Sequence, residues 1–133
     1  MKISANATCP CHSGEKYKKC CHPYHKGVNA SDALKLMRSR YSAFSLDLAE
    51  YIIRTTHPDN PDYTGEREKW SQSIHAFSRA NDFKGLKILA FSDGESVAYV
   101  TFEAIFQDGS FTEKSQFFKV EEAWLYKSGE FTD

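Results

Sequence analysis

The sequence predicts an α+β fold in which a metal-binding N-terminal segment precedes helices and then an antiparallel meander. Three observations carry this reading. All four cysteines lie between Cys9 and Cys21. Apolar residues recur at three- and four-residue steps from Leu34 to Tyr51, and from Leu86 onward the period changes to two. Helices followed by strands, rather than alternating with them, define the α+β class. A chain of 133 residues suffices for one domain with a small appendage. Its 41% hydrophobic and 14% aromatic content argues against disorder. No apolar run approaches the roughly 20 residues of a membrane span. The opening "MKISANAT" lacks the apolar segment of a signal peptide. The expected compartment is therefore cytoplasmic, where clustered thiols bind metal more often than they form disulfides.

The first element is set by the spacing Cys9-x-Cys11-x8-Cys20-Cys21. Adjacent Cys20 and Cys21 cannot readily bridge each other, and Cys9 with Cys11 would close a strained loop. A redox dithiol calls for C-x-x-C at the start of a helix, which is not met. Zinc fits: two thiolates from a tight turn and two from a returning segment complete a tetrahedral shell, with Pro10 restricting the turn and Gly14 letting the chain reverse. Such a shell leaves no open position for substrate, so one structural zinc ion is expected on Cys9, Cys11, Cys20 and Cys21, with His22 as a reserve ligand. Thiolate softness favours zinc, with iron the competing metal. Serine at Cys9 or Cys20 should release the ion and loosen the N-terminal segment while the α+β domain survives.

The stretch "CPCHSGEKYKKCC" resembles the SEC-C zinc motif, C-P-C-G-S-G-x-x-[YF]-K-x-C-[CH], which also occurs in the C-terminal tail of the bacterial SecA translocase. "YHKG", "ALKLMRSRYSAFSLDLAEYIIRTTHP", "EKSQFFKV" and "AWLYKSGEF" extend the similarity to the YchJ-like family of uncharacterised proteins. That resemblance implies a SEC-C motif over residues 1–28 and a nuclear transport factor 2-like domain over 29–133. In this cystatin-like cone a curved sheet wraps a long helix. It also suggests protein partners docking on the zinc motif, such as secretion chaperones or the ribosome. His12 departs from the pattern, standing where the motif usually has glycine.

Ser31 reads as an N-cap, with Asp32 in the first turn of the helix that follows. Leu34, Met37, Tyr41, Phe44, Leu48 and Tyr51 give that helix its buried face, and Ser45 or Asp47 offers a fresh start within it. His57-Pro58 ends the pattern. A further helix begins near Thr64 and carries Trp70, Ile74 and Phe77 on one side. "LKILAF", "SVAYVTFEAIF", "FTEKSQFFKV" and "AWLYK" read as strands, with turns at Asp93-Gly94 and Asp108-Gly109.

Taking Asp108-Gly109 as a two-residue hairpin loop pairs Phe106 with Phe111, Ala104 with Glu113, Phe102 with Ser115 and Val100 with Phe117. On the other face Glu103 would meet Lys114, and Thr101 would meet Gln116. The first face is the more apolar and should cover the helices, so Glu113 and Ser115 enter an apolar interior. Two roles compete for Glu113: an acid or base in a pocket, and a structural anchor paired with Arg38 or Arg40. The anchor is the expectation, because buried charges usually persist only when paired. His57 reads as a cap or surface group.

Residues 1–40 carry eight Lys and Arg against Glu15 and Asp32, a balance of 8 − 2 = +6, within a net charge of −1. Zinc on four thiolates would add −2 and offset part of this. The remaining excess can signal an anionic partner such as RNA, bound through Lys16, Lys18, Lys19 and Lys26; the competing reading is that the lysines offset thiolate charge and solvate a helix face. The leading expectation is a non-enzymatic binding or adaptor protein; the alternatives are a small enzyme using Glu113 and an RNA-associated protein.

Overall fold

The computed structural model describes residues 3–132. Lys2, counted in the basic segment, lies outside them, as do Met1 and Asp133 at the outer ends of the expected domains. Helices α1 (His22–His25), α2 (Ala33–Ser45), α3 (Ala49–Arg54) and α4 (Arg67–Ala80) precede strands β1 (Phe83–Ser92), β2 (Val97–Phe106), β3 (Gly109–Val120) and β4 (Ala123–Thr132). The strands form an antiparallel sheet in the order β1-β2-β3-β4. Bulges in the β1–β2 and β3–β4 pairings bend the sheet around the helices.

Helix α2 is capped by Asp32, whose carboxylate accepts from Lys35 N at 2.8 Å; Ser31 lies one residue too early. The expected interruption is real, but neither Ser45 nor Asp47 caps α3. Asp47 takes a left-handed φ of 62°, and its carboxylate instead accepts from His75 Nδ1 at 2.5 Å and Arg79 Nε at 3.1 Å on α4. The chain leaving α3 runs beside β4, exchanging backbone hydrogen bonds between Thr55, His57 and Tyr126. His57 packs edge-on against Phe118, 5.2 Å between centroids, and its Nδ1 accepts from Asp59 N.

Alternate residues of β2 and β3 point inward as expected, with Ala98, Val100, Phe102, Ala104, Glu113, Ser115 and Phe117 all buried. The register is different. Ala104 faces Phe111, Phe102 faces Glu113, Val100 faces Ser115 and Ala98 faces Phe117, because the two-residue turn is Gln107-Asp108. Lys114 lies opposite Thr101 rather than Glu103, and Gln116 lies opposite Tyr99, whose hydroxyl accepts from Gln116 Nε2 at 3.0 Å. Starting the turn one residue earlier moves each partner by two, so every side chain keeps its face while changing its neighbour.

Phe117 sits at the centre of the sheet–helix core, 1% exposed, beside Met37, Val100 and Trp124. Phe117→Ala should cost about 3–5 kcal/mol, read from urea denaturation.

Candidate metal centre and cavity

The cysteine segment is closed by its own backbone. Cys9 N donates to Glu15 O and Tyr17 N to Ala7 O, both at 2.8 Å, so the chain reverses between the cysteine pairs. Gly14 takes a φ of 90° within that reversal, and His12 a φ of 63°. The second value explains why a glycine suits the position His12 occupies: a left-handed residue with a Cβ costs about 1–2 kcal/mol. A short 3-10 turn over Tyr17–Lys19 then delivers Cys20 and Cys21.

The four Sγ atoms lie within 4.8 Å of one another, with Cys11 and Cys20 at 3.5 Å and Cys20 and Cys21 at 3.9 Å. Zn–S bonds of about 2.3 Å in a tetrahedron require S···S distances of about 3.8 Å, so the four cysteines could hold a metal ion. The thiols crowd one another. Hydrogen bonding to Cys11, with added burial, pushes the Cys9 thiol up to about 12, and the same neighbour raises Cys21. Cys11 is held well below the ordinary thiol range by the hydrogen bonds that Cys21 and Cys9 give it. His22 is outside this cluster; its ring lies against Tyr17 at 5.0 Å.

The cluster is also fastened to α2. Arg38 Nη1 donates to the Cys11 carbonyl at 3.0 Å and approaches Cys11 Sγ at 3.9 Å. Leu46 packs among Cys9, Cys11, Tyr17 and Cys21. His25 completes the junction. Its Nε2 donates to the Ser39 carbonyl at 2.8 Å, which leaves Nδ1 to accept from Tyr17 OH at 2.6 Å. No periodicity marks His25, since both partners are distant in sequence.

Burial holds the His25 imidazole below its ordinary 6.5, against the hydrogen bond to Ser39; His22 and Arg54 also disfavour its charge. The unfolded chain therefore takes up a proton first as pH falls. Stability should be intact above about 6.5 and decline below it, levelling once the folded imidazole also protonates. Urea denaturation between pH 7 and 5 should show this slope reduced in His25→Gln.

The second site lies between the sheet and α2, α3 and α4. A cavity of about 650 Å³ is walled by Phe44, Trp70, Phe77, Phe102, Phe106 and Phe111 among others, and its polar lining includes Arg40, Glu113, Ser115 and Tyr126. Glu113 is buried at 6% exposure, and its Oε2 accepts from Ser115 Oγ at 2.6 Å and Tyr126 OH at 2.7 Å. The expected ion pair is not what holds it. Arg38 is committed to Cys11, and Arg40 Nη1 donates to Ile52 O, Thr55 Oγ1 and Thr56 Oγ1. Arg40 lies over the Tyr126 ring, its guanidinium carbon 4.6 Å from the centroid, and attracts Glu113 by charge without an ion-pair contact. Burial, and then the charge of Glu113, push the Tyr126 phenol far up, so it stays a donor.

Gly129, across β4 from Ser115, makes room for this arrangement. A Cβ at that position would overlap the Glu113 carboxyl group and crowd Tyr126 OH. Neither Gly129 nor Tyr126 stands out in the sequence, because their roles depend on the β3–β4 register.

A curved four-stranded sheet over helices, with a four-cysteine cluster fastened to the long helix, defines an NTF2-like protein carrying a SEC-C motif. Residues 32–129 match the family described as "YchJ, middle NTF2-like domain", and residues 6–23 match the SEC-C motif. The chain belongs to the YchJ family. It is 37% identical over 132 residues to the UPF0225 protein SCO1677 of Streptomyces coelicolor, covering 94% of this chain and 96% of that one. The UPF0225 protein plu2503 of Photorhabdus laumondii is 35% identical over 130 residues, 91% and 79% of the two chains. The solution structure of RPA3114, a SEC-C motif containing protein from Rhodopseudomonas palustris, superposes with a TM-score of 0.80 at 34% identity, covering 96% of this chain and 100% of that one. A crystal structure of a SEC-C motif containing protein from Psychrobacter arcticus gives 0.78 at 30% identity, over 93% and 82%. No helix among the described residues is long and apolar enough to cross a membrane.

Proposed function

We propose that this chain is a zinc-containing, non-enzymatic binding protein. Cys9, Cys11, Cys20 and Cys21 hold one structural zinc ion, and the cone cavity holds a small ligand. The observation that carries the reading is the cavity: about 650 Å³, with largely apolar walls and a minority of polar groups, Arg40, Glu113, Ser115 and Tyr126 among them, the usual anatomy of a small-molecule site. The cysteine shell offers zinc four thiolates and no open position, so the metal acts on the fold and not on a substrate. Lys16, Lys18, Lys19 and Lys26 are all exposed around the motif, and their charge suits an acidic protein partner in the cytoplasm. Nucleic acid is the competing partner, and salt-dependent retention on an RNA column would favour it.

The neutral apolar fluorophore N-phenyl-naphthylamine tests the cavity. Saturable, stoichiometric binding is expected in the wild type, and loss of binding in Ser73→Trp, which plugs the rim from an exposed position on α4. Binding that survives the plug would place the probe elsewhere and sink the reading.

A second reading, a small enzyme with Glu113 as its base, draws support from the carboxylate's access to the cavity. It requires Glu113→Gln to fold normally and abolish turnover of a substrate that the wild type consumes.

A further inference from the structure

The polar lining of the cavity has unused hydrogen-bonding capacity of both kinds. Arg40 and Glu113 are more than nine-tenths buried, at 8% and 6% exposure, and both line the cavity. All three hydrogen bonds of Arg40 leave from Nη1, so Nη2 and Nε make none among the described residues. Both hydrogen bonds of Glu113 arrive at Oε2, so Oε1 likewise makes none. Ser78 Oγ is the single side-chain polar atom sealed without a partner among the described residues, so these groups of Arg40 and Glu113 reach open space. A donor and an acceptor thus lie in one chamber whose walls are largely apolar.

The surrounding bonds keep them there. Arg40 is tied to the end of α3 through Nη1 and lies over the Tyr126 ring; Tyr126 OH in turn fixes Oε2 of Glu113. Gly129 leaves the carboxylate the room it occupies. Such a site is organised before a ligand arrives, which spares the ligand the entropy of ordering it. Asp62 and Lys69 also line the cavity, so its four formal charges balance and leave no excess to receive a charged head group. An ion entering this chamber would lose its hydration without a net counter-charge, whereas a neutral polar group would not. Phe77 and Phe131 stand at 39% and 67% exposure on the rim, an apolar entrance suited to an apolar body.

Building on the cavity reading above, we propose that the ligand is a small, uncharged, predominantly apolar molecule whose head group presents a hydrogen-bond donor beside an acceptor, as a carboxamide does. Its donor meets Glu113 Oε1, and its acceptor meets the Nη2–Nε side of Arg40.

Displacement of N-phenyl-naphthylamine by three compounds of matched size tests this. Naphthamide carries donor and acceptor, acetylnaphthalene the acceptor alone, and isopropenylnaphthalene neither. The wild type should bind naphthamide about tenfold more tightly than acetylnaphthalene, and the hydrocarbon most weakly, as one lost hydrogen bond to a charged group implies at each step. Glu113→Gln keeps an oxygen for Ser115 and Tyr126 and turns an amide N–H toward the cavity. It should weaken naphthamide about tenfold and leave acetylnaphthalene unchanged or tighter. Thermal melting of the variant without ligand confirms that its fold is intact. Should Glu113→Gln fail to fold, the wild-type ranking alone decides. Equal binding of the three compounds, with Ser73→Trp still blocking the probe, overturns the head-group assignment and leaves the cavity reading standing. Absence of blockable probe binding overturns both.

Discussion

Replacing Cys21 by serine should remove the metal and lower the melting temperature of the whole protein by roughly 10 °C, corresponding to about 3 kcal/mol. The sequence alone suggests a milder result, with only the N-terminal segment loosening. The packing enlarges the expected effect. Cys21 is 1% exposed, and the cluster it closes shares Leu46 with the end of α2 and binds Arg38 through Cys11. Opening the shell would strand crowded thiols that ionise together only around a cation, and it would loosen the cover over buried Ser42 on α2, which Cys21 contacts. Elemental analysis should find about one zinc per wild-type chain and none in Cys21→Ser, with a single cooperative melt in each. A variant that loses its metal yet melts at the wild-type temperature would show that the motif does not support α2.

Gly129→Ala should cost about 2–4 kcal/mol, although the change adds one methyl group. The new Cβ would occupy the space of the Glu113 carboxyl and dislodge it from Ser115 and Tyr126. Hydrogen bonds to a charged group contribute about 1.5–3 kcal/mol each, and a displaced carboxylate would lie against the apolar cavity wall. The double-mutant cycle isolates the cause. In a Glu113→Ala background, Gly129→Ala should cost less than about 0.5 kcal/mol, because the competing group is gone. Urea denaturation of the four proteins gives the coupling. Equal costs in both backgrounds would mean that Glu113 does not fill the space over Gly129.

These two experiments bear on what binding would need. The cysteine cluster is fastened to α2, which carries Arg40 to the cavity. Gly129 lets β3 and β4 place Glu113 beside it. Both features would act on a ligand through other residues, and each has a stability readout independent of any ligand.

The chain itself determined its class and the position of the four cysteines that could hold a metal ion. Four cysteines within one short segment have to meet near a single point, whatever the rest of the chain does. Periods of three to four and then of two fix helices and strands, because burial on one face is a local property of each element. The inward placement of Glu113 and Ser115 follows from that parity, and a turn at Gln107-Asp108 leaves it unchanged. Tertiary structure decided the neighbours. The turn at Gln107-Asp108 set the cross-strand partners, since Asp-Gly fits more than one hairpin alignment. Helix α2 proved buried on several sides because His25 of α1 meets Ser42 and Tyr51 of α3 meets Ser39, two serines that a single-faced pattern assigns to solvent. The two arginines are two residues apart on α2 and point to different sites: Arg38 serves the cysteines and Arg40 the cavity. Spacing along a chain specifies which face a residue takes, while the group it meets depends on which distant element packs against that face.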